Sequence, residues 1–190
     1  HMTHNFEELE REDPRETRLY VGGREGVQAV AYQNDGWAAP EAVPLPGTEG
    51  VGEVRIGRTG GRPAFVTTIE PMHGNQLAVY DLSPSPVRQL LDSTLSGGHA
   101  LAAADLLGLG RDQIVAGWRE PNAEGKVGIK LYVPADTAAT EWEQHLIDDD
   151  TMAAEDLKVA DLDGDGRLDV IAAGRATHNL VIYWNRTSVE

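Results

Sequence analysis

Asp161-Leu162-Asp163-Gly164-Asp165-Gly166-Arg167-Leu168-Asp169 places carboxylates at alternate positions around two glycines. Oxygen ligands spaced in this way can converge on one hard cation, and Gly164 and Gly166 allow the backbone to fold tightly around it. The ion expected here is Ca2+, held by Asp161, Asp163 and Asp165, by the backbone carbonyl of Arg167, and by Asp169, which closes the site. An EF-hand is excluded because its twelfth position, where a bidentate Glu is needed, is Ala172. The competing reading is an Asp/Gly-rich hairpin turn that binds nothing. Repulsion among four neighbouring carboxylates would destabilise an empty loop, which favours the metal.

The elements that must position this loop are two short strands, because residues 157–160 precede it and the β-branched run from Val170 follows. The Gly-Arg pair at Gly166-Arg167 recurs at Gly110-Arg111 and Gly61-Arg62. A repeat of roughly 50 residues is the length of a propeller blade. Helix signals are scarce, while 21 Gly and 10 Pro are spread along the chain. The predicted fold class is therefore all-β, a β-propeller of four-stranded antiparallel blades, with about four blades or part of a larger propeller.

The clearest blade spans 98–150, with strands over 101–106, 113–118, 127–133 and 142–147. Another spans 49–97. The blade at 151–190 carries the acidic loop and lacks a fourth strand. An incomplete blade covers 15–48, with a fourth strand expected over 37–45. Residues 1–14 are expected to hold a tag remnant at His1-Met2 and a possible closing strand, since 5–10 resemble a fourth strand. Two arrangements follow. The leading segment pairs beside 180–184 and closes a ring, or open blade edges are covered by a second copy, giving a homo-oligomer. The second is favoured because the first blade shows no inner strand of its own.

Strand order predicts a second set of chemistry-bearing residues. In a meander whose first strand lines the axis, the start of strand one and the end of strand two share a face. His99 precedes a first strand, Arg24, Arg119 and Arg175 end second strands, and His73 and His178 lie in the turns that follow. All six are expected at one mouth of the hub, opposite the acidic loop. Such a cluster suits a carboxylate, a phosphate or a hydroxyl-rich sugar. A neutral His could take a proton beside a carbonyl while an Arg stabilises the resulting oxyanion. Each also has a plain reading, as a solvated turn His or an Arg that caps carbonyls. Trp118, Trp142 and Trp184 are expected to pack between blades rather than to stack on sugars.

A net charge of −15 argues against nucleic acid and anionic membranes as partners. There are no cysteines, so disulfides and thiolate metal sites are excluded. No apolar run or leader marks an address. Localisation is not readable, with an extracytoplasmic site slightly favoured.

Residues 159–170 resemble the FG-GAP/VCBS repeat of calcium-binding β-propellers, which is also seen in integrin α-subunit heads. The match weakens in the other blades, where the ligand positions read Asp105, Leu107, Leu109 and Gln113, then Ile56, Arg58 and Gly60. Residues 97–106 with 111–119 are similar to the propeller domain of aldos-2-ulose dehydratase-like proteins. That resemblance implies carbohydrate chemistry, in a family whose propellers have about seven blades and further domains. The expected function is a calcium-binding propeller module for a small-molecule or carbohydrate ligand or a partner. The alternatives are a carbohydrate lyase or dehydratase, and a structural repeat that self-assembles.

Overall fold

The computed structural model describes residues 3–9, 17–33 and 35–187. His1-Met2, read as a tag remnant, lies outside them. The described residues form only strands and turns, in four small antiparallel sheets arranged as a four-blade β-propeller.

The first blade runs β1 (Thr3–Leu9), β2 (Arg18–Gly23) and β3 (Gly26–Gln33), with two short pieces, β4 (Gly36–Trp37) and β5 (Glu41–Ala42), both on β3. The fourth strand expected over 37–45 is thus broken. Pro40, Pro44 and Pro46 punctuate that stretch and cannot donate to a ladder. The second blade is β6 (Glu53–Thr59), β7 (Arg62–Glu70), β8 (Gln76–Asp81) and β9 (Arg88–Asp92). The third is β10 (Gly98–Ala104), β11 (Gln113–Trp118), β12 (Gly128–Pro134) and β13 (Trp142–Asp149). The last has three strands, β14 (Ala154–Ala160), β15 (Asp169–Gly174) and β16 (Asn179–Tyr183).

One expectation is corrected. Thr3–Leu9 does not lie beside β16 as a fourth strand; it pairs with β2 and is the inner strand of the first blade. Its mostly polar residues hid this role, since nothing in Thr3–Leu9 resembles the apolar run of an inner strand such as β10.

The inner strands β1, β6, β10 and β14 pack in that order around the hub. Apolar faces meet between consecutive blades. Val27 of the first blade joins Val54 and Val66 of the second, Leu77 joins Leu101 and Ile114 of the third, and Ile129 joins Leu157 and Val170 of the last. Tyrosines near the ends of the third strands add polar latches across these junctions. Tyr132 donates to Asp92 at 2.6 Å, Tyr183 donates to Asp148 at 2.8 Å, and the Tyr80 hydroxyl lies 2.9 Å from Thr48 Oγ1. Trp118 is core, and Trp142 packs edge-on against Phe65 across a junction, as expected for blade packing rather than sugar stacking. Trp184 is instead exposed.

Candidate functional site

The hub mouth is built from one repeated irregularity. At the start of three inner strands the register slips by one residue, between Thr3 and Asn5, between Gly98 and Ala100, and between Ala154 and Asp156. A bulged residue leaves the ladder and can be re-aimed. Those residues are His4, His99 and Glu155, and the corresponding place in the second blade is Gly52. Its lack of a side chain matters, since a Cβ there would lie 2.2 Å from the Met72 carbonyl oxygen. The β7–β8 turn can therefore cross above it and deliver His73.

Three imidazoles meet as a result. The ring of His73 stands 4.2 Å from that of His4 and 4.5 Å from that of His99, centroid to centroid. One ligand nitrogen from each lies within 4.8 Å of the others. Second partners orient two of the rings. Nδ1 of His4 donates to the Gly52 carbonyl at 2.7 Å, and Nδ1 of His99 donates to the Glu155 carbonyl at 2.6 Å. Both Nε2 atoms are left as lone-pair donors, the usual arrangement of a metal-ligating histidine. Nε2 of His73 is hydrogen-bonded to Nε2 of His4. Nδ1 of His73 accepts from Arg119 Nη2 at 3.3 Å, so a cation on its Nε2 requires the ring proton to move to Nδ1. That costs the long Arg119 contact but leaves Nη1 of Arg119 bound to both oxygens of Glu155, each at 2.9 Å.

Electrostatics favour the neutral form of His73 and His99. Burial, then the neighbouring His4, His99 and Arg119, push His73 down to about 4. Burial also lowers His99. Beneath them Glu53 is 1% exposed, with Oε1 lacking any hydrogen-bond partner. Burial pushes its carboxyl up to about 7, against the opposing pull of Arg55 and Asn5. Burial works against ionisation of Glu155 too, yet the Arg119 hydrogen bonds and the surrounding positive groups hold it below its ordinary value.

Of the six residues predicted for this mouth, His73, His99 and Arg119 come together. Arg175 reaches Glu155 Oε1 at 3.5 Å from the rim. His178 lines, with Arg119 and Arg175, an adjoining recess of about 490 Å³. Arg24 is exposed and touches none of this cluster. Sequence reading missed His4, Glu53 and Glu155. His4 fell in a segment read as an outer strand, and the bulge position it shares with His99 shows only once the strands are laid in register.

The acidic loop lies between β14 and β15. Asp161 caps it, accepting from the backbone N–H groups of Gly164 at 2.8 Å and Gly166 at 2.9 Å. Buried Asp169 accepts from Leu162 at 3.1 Å and Asn185 at 2.9 Å. Carboxylate oxygens of Asp161, Asp163 and Asp169 converge within 4.8 Å, a set that fits a hard cation. Asp165 turns instead to the Arg167 side chain, and Arg186 sits 3.1 Å from Asp163 and 3.6 Å from Asp165. These guanidiniums offset the repulsion that favoured a metal on sequence grounds. In the third blade Asp105 makes the same cap to Leu109 and Gly110, but Gln113 stands where Asp169 does. That blade keeps the turn and loses the ligand set.

Compared with the models of known protein families and with curated proteins, the chain matches none.

Proposed function

We propose that the protein is a ligand-binding propeller whose hub mouth holds a divalent transition-metal ion on His4, His73 and His99. The single observation that carries this reading is the convergence of three imidazoles, two with Nδ1 committed to backbone carbonyls and Nε2 left for a ligand. Imidazole nitrogens, two from strands and one from the β7–β8 turn, suit zinc and its neighbours better than calcium. Such an ion would supply Lewis acidity to an oxygen ligand. Arg119 and Arg175 beside it suit a carboxylate or a polyhydroxylated, carbonyl-bearing ligand of the carbohydrate class. The acidic loop is a separate, structural calcium site on Asp161, Asp163 and Asp169.

The test is zinc titration by calorimetry with the wild-type chain and with His99→Ala. Tight one-to-one binding, weakened at least about tenfold in the variant, is expected. Equal binding by both would remove the proposal.

A second reading, a lyase or dehydratase acting on a keto-sugar, is favoured by two groups that titrate out of range. His73 stays unprotonated at neutrality, and Glu53 exchanges a proton at about pH 7. A screen of keto-sugars comparing wild type with Arg119→Ala separates turnover from binding.

A further inference from the structure

Each internal junction joins the front of one blade to the back of the next, and the register shows which residues those faces use. Across the sheets, Val27 pairs with Gly22, Leu77 with Ile69, Ile129 with Gly117 and Leu180 with Ala173. These four third-strand residues occupy one equivalent front position. Val27, Leu77 and Ile129 are 2% exposed or less, whereas Leu180 is 68% exposed. On the back faces the equivalent inner-strand position holds Phe6, Val54, Leu101 and Leu157, set by their pairing with Val21, Thr68, Ala116 and Ala172. Val54, Leu101 and Leu157 are 2% exposed or less, and Phe6 is 61% exposed.

The two ends of the array are thus an unpaired front and an unpaired back of the same repeat. Beside Leu180 and Ala173 on the front face lie Ile171 and Ile182, and beside Phe6 on the back face lie Val21 and Leu19, so both carry the apolar character of an internal junction. No packing comparable to the internal junctions joins β14 back to β1 among the described residues. We propose that the front face around Leu180 docks on the back face around Phe6 of a second copy of this chain, twice, about a two-fold axis.

Charge supports this occupant over an unrelated one. Around the hub, Glu7 of the first blade lies 3.9 Å from Arg55 of the second. Lys158 holds the register position of Arg55 in the last blade, one place on from Leu157, as Arg55 is from Val54. Docked head to tail, Lys158 faces Glu7 of the second copy at the same register position, an ion pair with the two charges exchanged between preceding and following blade. In the bulge ring Glu155 likewise meets His4 of the second copy. Two such junctions are heterologous contacts that close only when the arcs join as a pair. Burying large apolar side chains in this way supplies the driving force. The proposal does not depend on what the hub mouth binds.

The test is the mass in solution by light scattering for the full chain, Phe6→Glu and Leu180→Glu, with circular dichroism confirming that each variant keeps its sheet. A milder Leu180→Asn guards against misfolding. Wild type is expected at twice the 20.5 kDa of one chain, and each single variant at that of one chain. Mixing the two variants restores a doubled mass, because one junction then has both faces intact. A wild-type monomer, an open series of larger species, or a dimer broken by one variant but not the other would overturn the proposal.

Discussion

The carboxyl of Glu53 stands 3.5 Å from Nδ1 of His4, yet its Oε1 accepts no hydrogen bond. The nitrogen facing it already donates to the Gly52 carbonyl. Glu53 is therefore buried close to a polar group that cannot serve it, and the neutral acid is the favoured form.

Stability should depend on pH through this residue. The folded value near 7 lies above the ordinary 4.5, so the native state keeps a proton that the unfolded chain releases. Stability is then greatest below the ordinary value, falls as pH rises between the two, and levels off above the folded one. A shift of this size corresponds to about 3 kcal/mol. Glu53→Gln should remove this fall and leave the opposite rise that the lowered His73 and His99 impose, so relative to wild type the variant gains stability between about pH 5 and about pH 8, as read from urea unfolding at both. A variant with the wild-type slope would place the titration elsewhere.

Gly52→Ala should cost about 3 kcal/mol, because the new Cβ meets the Met72 carbonyl and the backbone must move. The shift displaces the turn that carries His73, so zinc affinity should drop at least about tenfold in the same variant. Thermal melts and calorimetry check both. A stable variant with intact zinc binding would show that the turn does not need this close approach.

Calcium should raise the melting temperature of the wild-type chain, by about 2.7 kcal/mol of stabilisation at a hundredfold excess over Kd. Asp163→Ala should abolish the rise. Arg186→Ala should enlarge it, since this guanidinium lies 3.1 Å from Asp163 and competes for the same oxygens. Identical melting curves with calcium and with chelator would remove the metal from the loop.

The repeat and the all-β class were legible in the sequence because a strand alternates with period two and its turns carry Gly, Asp and Pro. That local chemistry placed the acidic loop between strands one and two and set His73, His99 and Arg119 on one face. It did not reveal that Thr3–Leu9 is an inner strand, because that segment is mostly polar and lacks a strand-like apolar run, although its pairing with β2 spans no more chain than the hairpin of the acidic loop. Nor could it find the bulges at His4, His99 and Glu155, which appear only when two strands are laid in register. The burial of Glu53 and the exposure of Phe6 and Leu180 were equally out of reach. A residue's alternation tells which face it takes, but only the packing of whole blades decides whether that face meets a neighbour, the hub or open water.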